Sequence, residues 1–298
     1  MGKCVFKGYG DNELNIYCKP VTVPQLDPSE KDEPHDLFLE SNNVIIHVRH
    51  DAVNSYKGAW SNVKDQIYGD LLVPNQYIKY TSTDGNIIEP YRGLNASNND
   101  ITLFGANIVS NTYENGQGII IFSNNVIKIG YEAFDGCNRL TSITIPDSVT
   151  VIGEGAFAYC SSLTSITIPD SVTSIGASAF YYCRSLTSVT IGNSVTSIGD
   201  FAFVECTNLT SFYGLRASSD NRCVVLKNVL KGFAPKGISV YEIPSNIKKI
   251  ENGVFGGCVN LTEVILSDQI EDIGVRAFSN CNKLKNINIP ISVTKIGE

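Results

Sequence analysis

The chain has 298 residues, 43% of them hydrophobic and 18% charged, and carries a formal net charge of -7 at pH 7. This balance suits a packed protein with a large core, excludes a broad cationic footprint for nucleic acid, and leaves no apolar run long enough to span a membrane directly. Charge is uneven: residues 1–117 hold 9 basic and 15 acidic side chains, residues 118–298 hold 14 and 15, so the second part is nearly neutral.

In chain order, residues 1–69 read as the closing end, or cap, of a block of stacked units. Leu14 to Cys18 alternates as a strand does and stops at Lys19 and Pro20, Pro24 to Glu40 is polar and acidic and reads as loop, and Val44 to Val48 is a further strand. Asp51 can cap a helix through Lys57, with Trp60, Val63 and Ile67 continuing its apolar face. Such an α+β cap covers the bare core that the end of a stack exposes. Residues 70–117 read as a linking hairpin and lead-in cap. Asp84 and Gly85 between Tyr77–Thr81 and Asn86–Ile88 give the hairpin signal, Pro90 to Asn99 is a polar connection, and Ile101–Phe104 and Ile119–Phe122 are strand-like.

From residue 118 to 298 one unit of 23 residues recurs. Phe134, Phe157, Phe180 and Phe203 step by 23, as do Cys137, Cys160, Cys183 and Cys206, and Leu140, Leu163, Leu186 and Leu209; the columns resume at Phe255, Cys258 and Leu261 and again at Phe278, Cys281 and Leu284. A fixed period of this length predicts a solenoid, because one such unit has too few apolar residues to close a core and stacked copies bury a continuous one. Within a unit, Ile143 and Ile145 fall on one face of a strand and Ser142 and Thr144 on the other. Pro146, Asp147 and Ser148 supply a turn, and Val149 to Ile152 a second short extended piece. The spacing of three between Phe157, Cys160 and Leu163 predicts about one and a half turns of helix or 3₁₀ pointing inward. The expected fold is therefore a mainly β solenoid of 23-residue coils with short helical or 3₁₀ turns.

The run Ser171 to Gly176, then Ala179 and Phe180, then Cys183, together with Leu163 to Pro169, resembles the 23-residue leucine-rich repeat of BspA-like bacterial surface proteins. The resemblance covers residues 118–298. It implies a curved leucine-rich-repeat solenoid on an extracellular or cell-surface protein, commonly an adhesin. Met1 to Lys3 lacks the charged-then-apolar pattern of an export signal and the chain stops at Glu298 within a new repeat, so the sequence reads as a piece of a longer protein.

The array is interrupted at about residues 213–240: Val195 to Ile247 spans 52 residues where 23 are expected. Cys223–Leu226 and Val229–Leu230 flank Lys227 and Asn228, which suggests a hairpin or an irregular coil. Similar inserts, with Ser219 to Cys223 and Phe233 to Pro235 as their fixed phrases, belong to what the resemblance implies. The insert is either a loop projecting toward a partner or a structural insertion, and the second is the plainer reading. Six of nine cysteines stand in one column and are expected as buried free thiols acting as small hydrophobes, with Cys4, Cys18 and Cys223 outside it.

No catalytic, cofactor or metal constellation emerges. His47, His50 and Asp51 could offer ligands, but their spacing at a strand end rarely converges them, and phosphate-loop and nucleophile-elbow patterns are lacking. The candidate ligand surfaces are two repeat columns: the hydroxyl ladder of Ser142, Thr144, Ser165, Thr167, Ser188 and Thr190, and the pair Tyr159 and Tyr182 with Tyr181 beside them. Each also has a bland reading, as solvent-facing β-formers and as outer-face packing. The expected function is a noncatalytic binding module for a protein or glycan on a host or neighbouring cell. A structural spacer that presents other domains is the alternative.

Overall fold

The computed structural model describes residues 75–90 and 103–298 in full and, before them, the backbone of four strands. The chain divides into two units, Met1–Pro74 and Asn75–Glu298. In the first, β1 (Cys4–Gly8), β2 (Leu14–Cys18), β3 (Val44–Arg49) and β4 (Ile67–Leu71) form one sheet in that order. β1 pairs antiparallel with β2, and β2, β3 and β4 run parallel. The helix expected from Asp51 to Lys57 and the possible ligands His50 and Asp51 lie outside the described residues.

The second unit is a solenoid whose coils stack in register. Successive strands Ser165–Thr167, Ser188–Thr190 and Ser211–Tyr213 pair in parallel, each residue opposite its counterpart 23 positions on. A second ladder of two-residue strands does the same, with Ile129, Ile152, Ile175 and Ile198 lying over one another. The Phe column fills the interior: centroids of Phe134, Phe157, Phe180 and Phe203 lie 5.4 Å apart at each step, with ring planes within 5° of parallel. All are buried, as are the inward Ile143, Ile166 and Val189 between exposed or half-buried hydroxyl residues. Burying about 25 cal/mol per Å² of apolar surface at every coil supplies most of the stabilisation.

Polar side chains tie coil to coil. Thr164, Thr187 and Thr210 each donate a hydroxyl to the carbonyl of Thr141, Thr164 and Thr187 respectively. Ser148 and Ser171 of the turn reach Val126 and Val149 carbonyls at 2.6 Å. The cysteine column works likewise: the Cys160, Cys183 and Cys206 thiols donate to the carbonyls of Phe134, Phe157 and Phe180 at 3.1, 3.1 and 3.2 Å. Burial pushes these thiols well above their ordinary pKa, so they remain neutral donors.

The inward Phe-Cys-Leu segment is not helical. Its amides alternate: Ala133, Asp135 and Cys137 close turns onto Gly130, Glu132 and Phe134, while Glu132, Phe134 and Gly136 donate to Glu154, Ala156 and Ala158 of the next coil. A helix needs consecutive amides to bond within one segment, and here every second one is spent on the neighbour. Left-handed residues at Glu132 and Gly136, and at their counterparts in later coils, break any helical run. Among the described residues there is no helix of any kind.

The lead-in region also departs from expectation. β5 (Tyr77–Ser82) does not pair across Asp84 and Gly85 with Asn86–Ile88. Its two edges are taken by β7 (Gln117–Phe122) and by Leu140–Ile143 of the first coil, both antiparallel. β7 in turn pairs with β6 (Ile108–Glu114) through a hairpin at Asn115 and Gly116, both with positive φ as an Asn-Gly turn requires. Leu103 and Phe104, expected as strand, lie in a turn, and the Phe104 ring heads the column 5.8 Å from Phe134.

The interruption is a hairpin built into the stack. Cys223–Leu226 pairs antiparallel with Val229–Phe233, and Val229 and Leu230 then pair in parallel with Lys249 and Ile250. Its two faces belong to two cores. Val224, Leu226 and Ala234 pack with the coils before it, whereas Cys223, Leu230 and Phe233 pack with those after it. The turn segments nevertheless meet directly across the interruption, through Phe201 and Glu205 amides donating to Asn252 and Gly256 carbonyls at 3.3 Å.

Candidate functional site

On the strand segment, the six candidate hydroxyl residues line up as successive rungs. In the first rung the Ser142 hydroxyl lies 2.6 Å from that of Thr81 in β5, while Thr144 is exposed. The next two are open: Ser165 and Thr167 are exposed, Ser188 and Thr190 half-buried, and none of the four side chains has a protein hydrogen-bond partner. The threonines that hold the stack belong to other columns, as described above. Tyr213 stands opposite Thr190 on the next strand and ends this face with a ring 46% exposed. It occupies the 23-step column of Thr144, Thr167 and Thr190, a signal present in the sequence but passed over.

On the turn segment, Tyr159, Tyr181 and Tyr182 converge. Ring centroids lie 5.5 Å apart for Tyr159 and Tyr181, 5.3 Å for Tyr159 and Tyr182, and 4.6 Å for Tyr181 and Tyr182. The Arg184 guanidinium sits 4.5 Å over the Tyr182 ring and 3.5 Å from the buried carboxylate of Glu205 in the next coil. Asn280 holds the other Glu205 oxygen at 3.1 Å. Burial, reinforced by its two tyrosine neighbours, raises the Tyr181 hydroxyl above its ordinary pKa and keeps it neutral.

The backbone under these rings is left-handed, as it is at this position in the other regular coils. Tyr159 and Tyr182 have φ of 57° and 60°, in a column filled elsewhere by Gly136, Glu205, Gly257 and Asn280, all with positive φ. A left-handed tyrosine costs about 1 kcal/mol or more relative to glycine. These two coils, like that of Glu205, bear a cost that a glycine at the same position removes, and here the side chains join one aromatic cluster.

The insert adds a third feature. Leu215 is 78% exposed and, with Arg216, Ser218 and Pro244, lines an open groove of about 350 Å³ beside the hairpin. Among the described residues, no group of three or more His, Cys, Asp or Glu side chains converges to hold a metal ion, and no helix is long and apolar enough to cross a membrane.

Solved structures of several bacterial proteins are similar to part of this chain. A leucine rich cell surface protein of Faecalibacterium prausnitzii is 26% identical over 58% of this chain, with a TM-score of 0.40, and the chain covers 61% of that protein. A leucine rich repeat protein of T. pallidum is 27% identical over 55% of this chain and 74% of its own, at a TM-score of 0.35. The pneumococcal vaccine antigen PcpA is 21% identical over 56% of this chain and 49% of its own, at 0.40. No curated protein matches. The model of the BspA-type leucine-rich repeat region matches six copies, at residues 107–218 and 231–298. With most of the chain matched and the repeat seen coil by coil in hydrogen bonds and core, the protein belongs to the BspA-type leucine-rich repeat family.

Proposed function

We propose that this chain is the noncatalytic binding module of a bacterial surface protein, adhesin-like, and that the cluster of Tyr159, Tyr181 and Tyr182 with Arg184 meets a protein or glycan on a host or neighbouring cell. The observation that carries this reading is the convergence of three tyrosine rings, with centroids 4.6 to 5.5 Å apart, and of the Arg184 guanidinium 4.5 Å over one of them. Stacked rings with a guanidinium suit sugar faces and polar protein surfaces alike. On the strand segment, the hydroxyls from Ser165 to Thr190 and the Tyr213 ring supply a neutral polar surface.

The test is a screen of the chain against extracellular-matrix proteins and a glycan array, alongside a variant carrying Tyr159→Gly and Tyr182→Gly. Lost ring contacts and relieved backbone cost are of similar size, so the variant should melt within a few degrees of the parent while binding falls at least tenfold. Equal binding by both removes the tyrosine cluster from the site. No saturable ligand for either favours the spacer, a reading supported by the low charge and repetitive Ser/Thr face. The insert is best probed with Leu215→Ser, because excising it removes Val224, Leu226 and Phe233 from two cores.

A further inference from the structure

Cys4 and Cys18 are the only cysteines of the first unit. They lie outside the cysteine column, and nothing in the repeat explains them. The sheet register places them opposite one another: β1 runs antiparallel to β2 with Cys4 facing Cys18 at one end of the pair and Gly8 facing Leu14 at the other. Residues directly opposite on antiparallel strands have Cα atoms about 4.5 to 5.5 Å apart, inside the roughly 4.4 to 6.8 Å window that a disulfide spans. We infer that Cys4 and Cys18 form a cross-strand disulfide that closes the open end of the β1–β2 hairpin.

Five of the seven other cysteines are committed elsewhere. Cys160, Cys183, Cys206 and Cys281 donate their S–H groups to the Phe carbonyl of the preceding coil at 3.0 to 3.2 Å. Bridging two of them removes those donors and draws adjacent coils out of register. Cys223 is buried against the Tyr241 hydroxyl at 3.0 Å, and burial foremost pushes its thiol up to about 12. β1, by contrast, is an edge strand with β2 as its one partner in the sheet. A covalent tie where the two strands part holds such an edge in register.

The chemistry is a thiol–disulfide exchange with a small disulfide, such as oxidised glutathione, as electron acceptor. The Cys4 and Cys18 sulfurs lose their protons and join, while the acceptor's S–S bond breaks and takes up two protons and two electrons as two thiols.

The experiment uses the full chain, freed of reductant, equilibrated with oxidised and reduced glutathione, then denatured in N-ethylmaleimide and weighed intact. The expected mass shows two fewer adducts than the same sample after reduction. Trypsin cuts after Lys7, between the two cysteines, so the peptides carrying Cys4 and Cys18 should remain joined until reductant is added. Cys18→Ser should make the adduct number the same before and after reduction. Equal adduct numbers in the parent, or a bond joining other cysteines, overturns the inference.

Discussion

Glu251 is the residue at which the repeat departs most from its own rule. Its column is glycine in the neighbouring coils because a Cβ there strikes the coil before: at Gly176 it lies 2.4 Å from the Glu154 nitrogen, and at Gly199 2.4 Å from that of Ala177. None of these glycines has positive φ, so crowding and not conformational freedom selects them. Glu251 escapes the crowding because its preceding neighbour is the insert hairpin, onto whose Leu230 carbonyl its amide donates at 3.0 Å. Its carboxylate is buried and paired with Lys231 at 2.7 Å and Lys249 at 3.0 Å. Burial alone raises a carboxyl pKa, but the two ammonium groups outweigh it and hold Glu251 below its ordinary value of 4.5. A depressed carboxyl contributes stability that is present above the unfolded value and lost as pH falls through the folded one. Glu251→Gln should therefore cost about 1 to 3 kcal/mol in urea unfolding at pH 7, with the gap to the parent shrinking as pH drops below 4.5. A gap of full size at pH 3 contradicts this assignment.

At the scale of the coil, the glycine column and the left-handed columns respond differently to substitution. Gly176→Ala drives a methyl into backbone that has nowhere to move, and about 3 kcal/mol or more of stability should be lost. Gly136→Ala meets nothing within 4 Å and carries only the left-handed cost at φ of 67°, about 1 kcal/mol. Comparable denaturation midpoints for the two variants would refute the crowding account. The stack itself was legible because identical residues at a step of 23 are satisfied by lying over one another. The segment between them was less so: a spacing of three fits 3₁₀ helix and chained turns equally, and only the sharing of alternate amides with the next coil decides for turns. Hairpins divided similarly. Asn115 and Gly116, an Asn-Gly pair that the sequence reading missed, form one, whereas the arm after Asp84 and Gly85 stays unpaired because β5 is claimed by partners far along the chain. No local pattern encodes that competition. Of the candidate site, Tyr159 and Tyr182 share a visible column, but Arg184 reaching Glu205 joins different positions of neighbouring coils and shows in no period.

At the scale of the second unit, the insert hairpin sets where cooperativity ends. Stability in a repeat stack is a sum of coil terms and nearest-neighbour interfaces, so a weak interface lets the two sides open separately. Here the apolar core is split, with Val224 and Leu226 facing one half and Cys223, Leu230 and Phe233 the other. The two-residue strand ladder is broken as well, since the sheet ending at Ser197–Ile198 and the one holding Val229–Phe233 share no hydrogen bonds. What crosses the joint includes Phe201 and Glu205 amide bonds of 3.3 Å, where the same positions in the regular coils, Gly155 to Ala177 and Tyr159 to Tyr181, make bonds of 2.9 and 2.7 Å. Phe255, fully buried 4.8 Å from Phe233 and 5.0 Å from Phe278, belongs wholly to the second half. Phe255→Ala removes about 3 kcal/mol or more of packing from that half alone. Hydrogen exchange should then show amides of residues 247–298 losing about two orders of magnitude of protection while those of residues 126–212 keep theirs, and Phe157→Ala should give the reverse. Equal losses on both sides of the hairpin in either variant would mean that the coils unfold as one body and that the hairpin transmits stability instead of interrupting it.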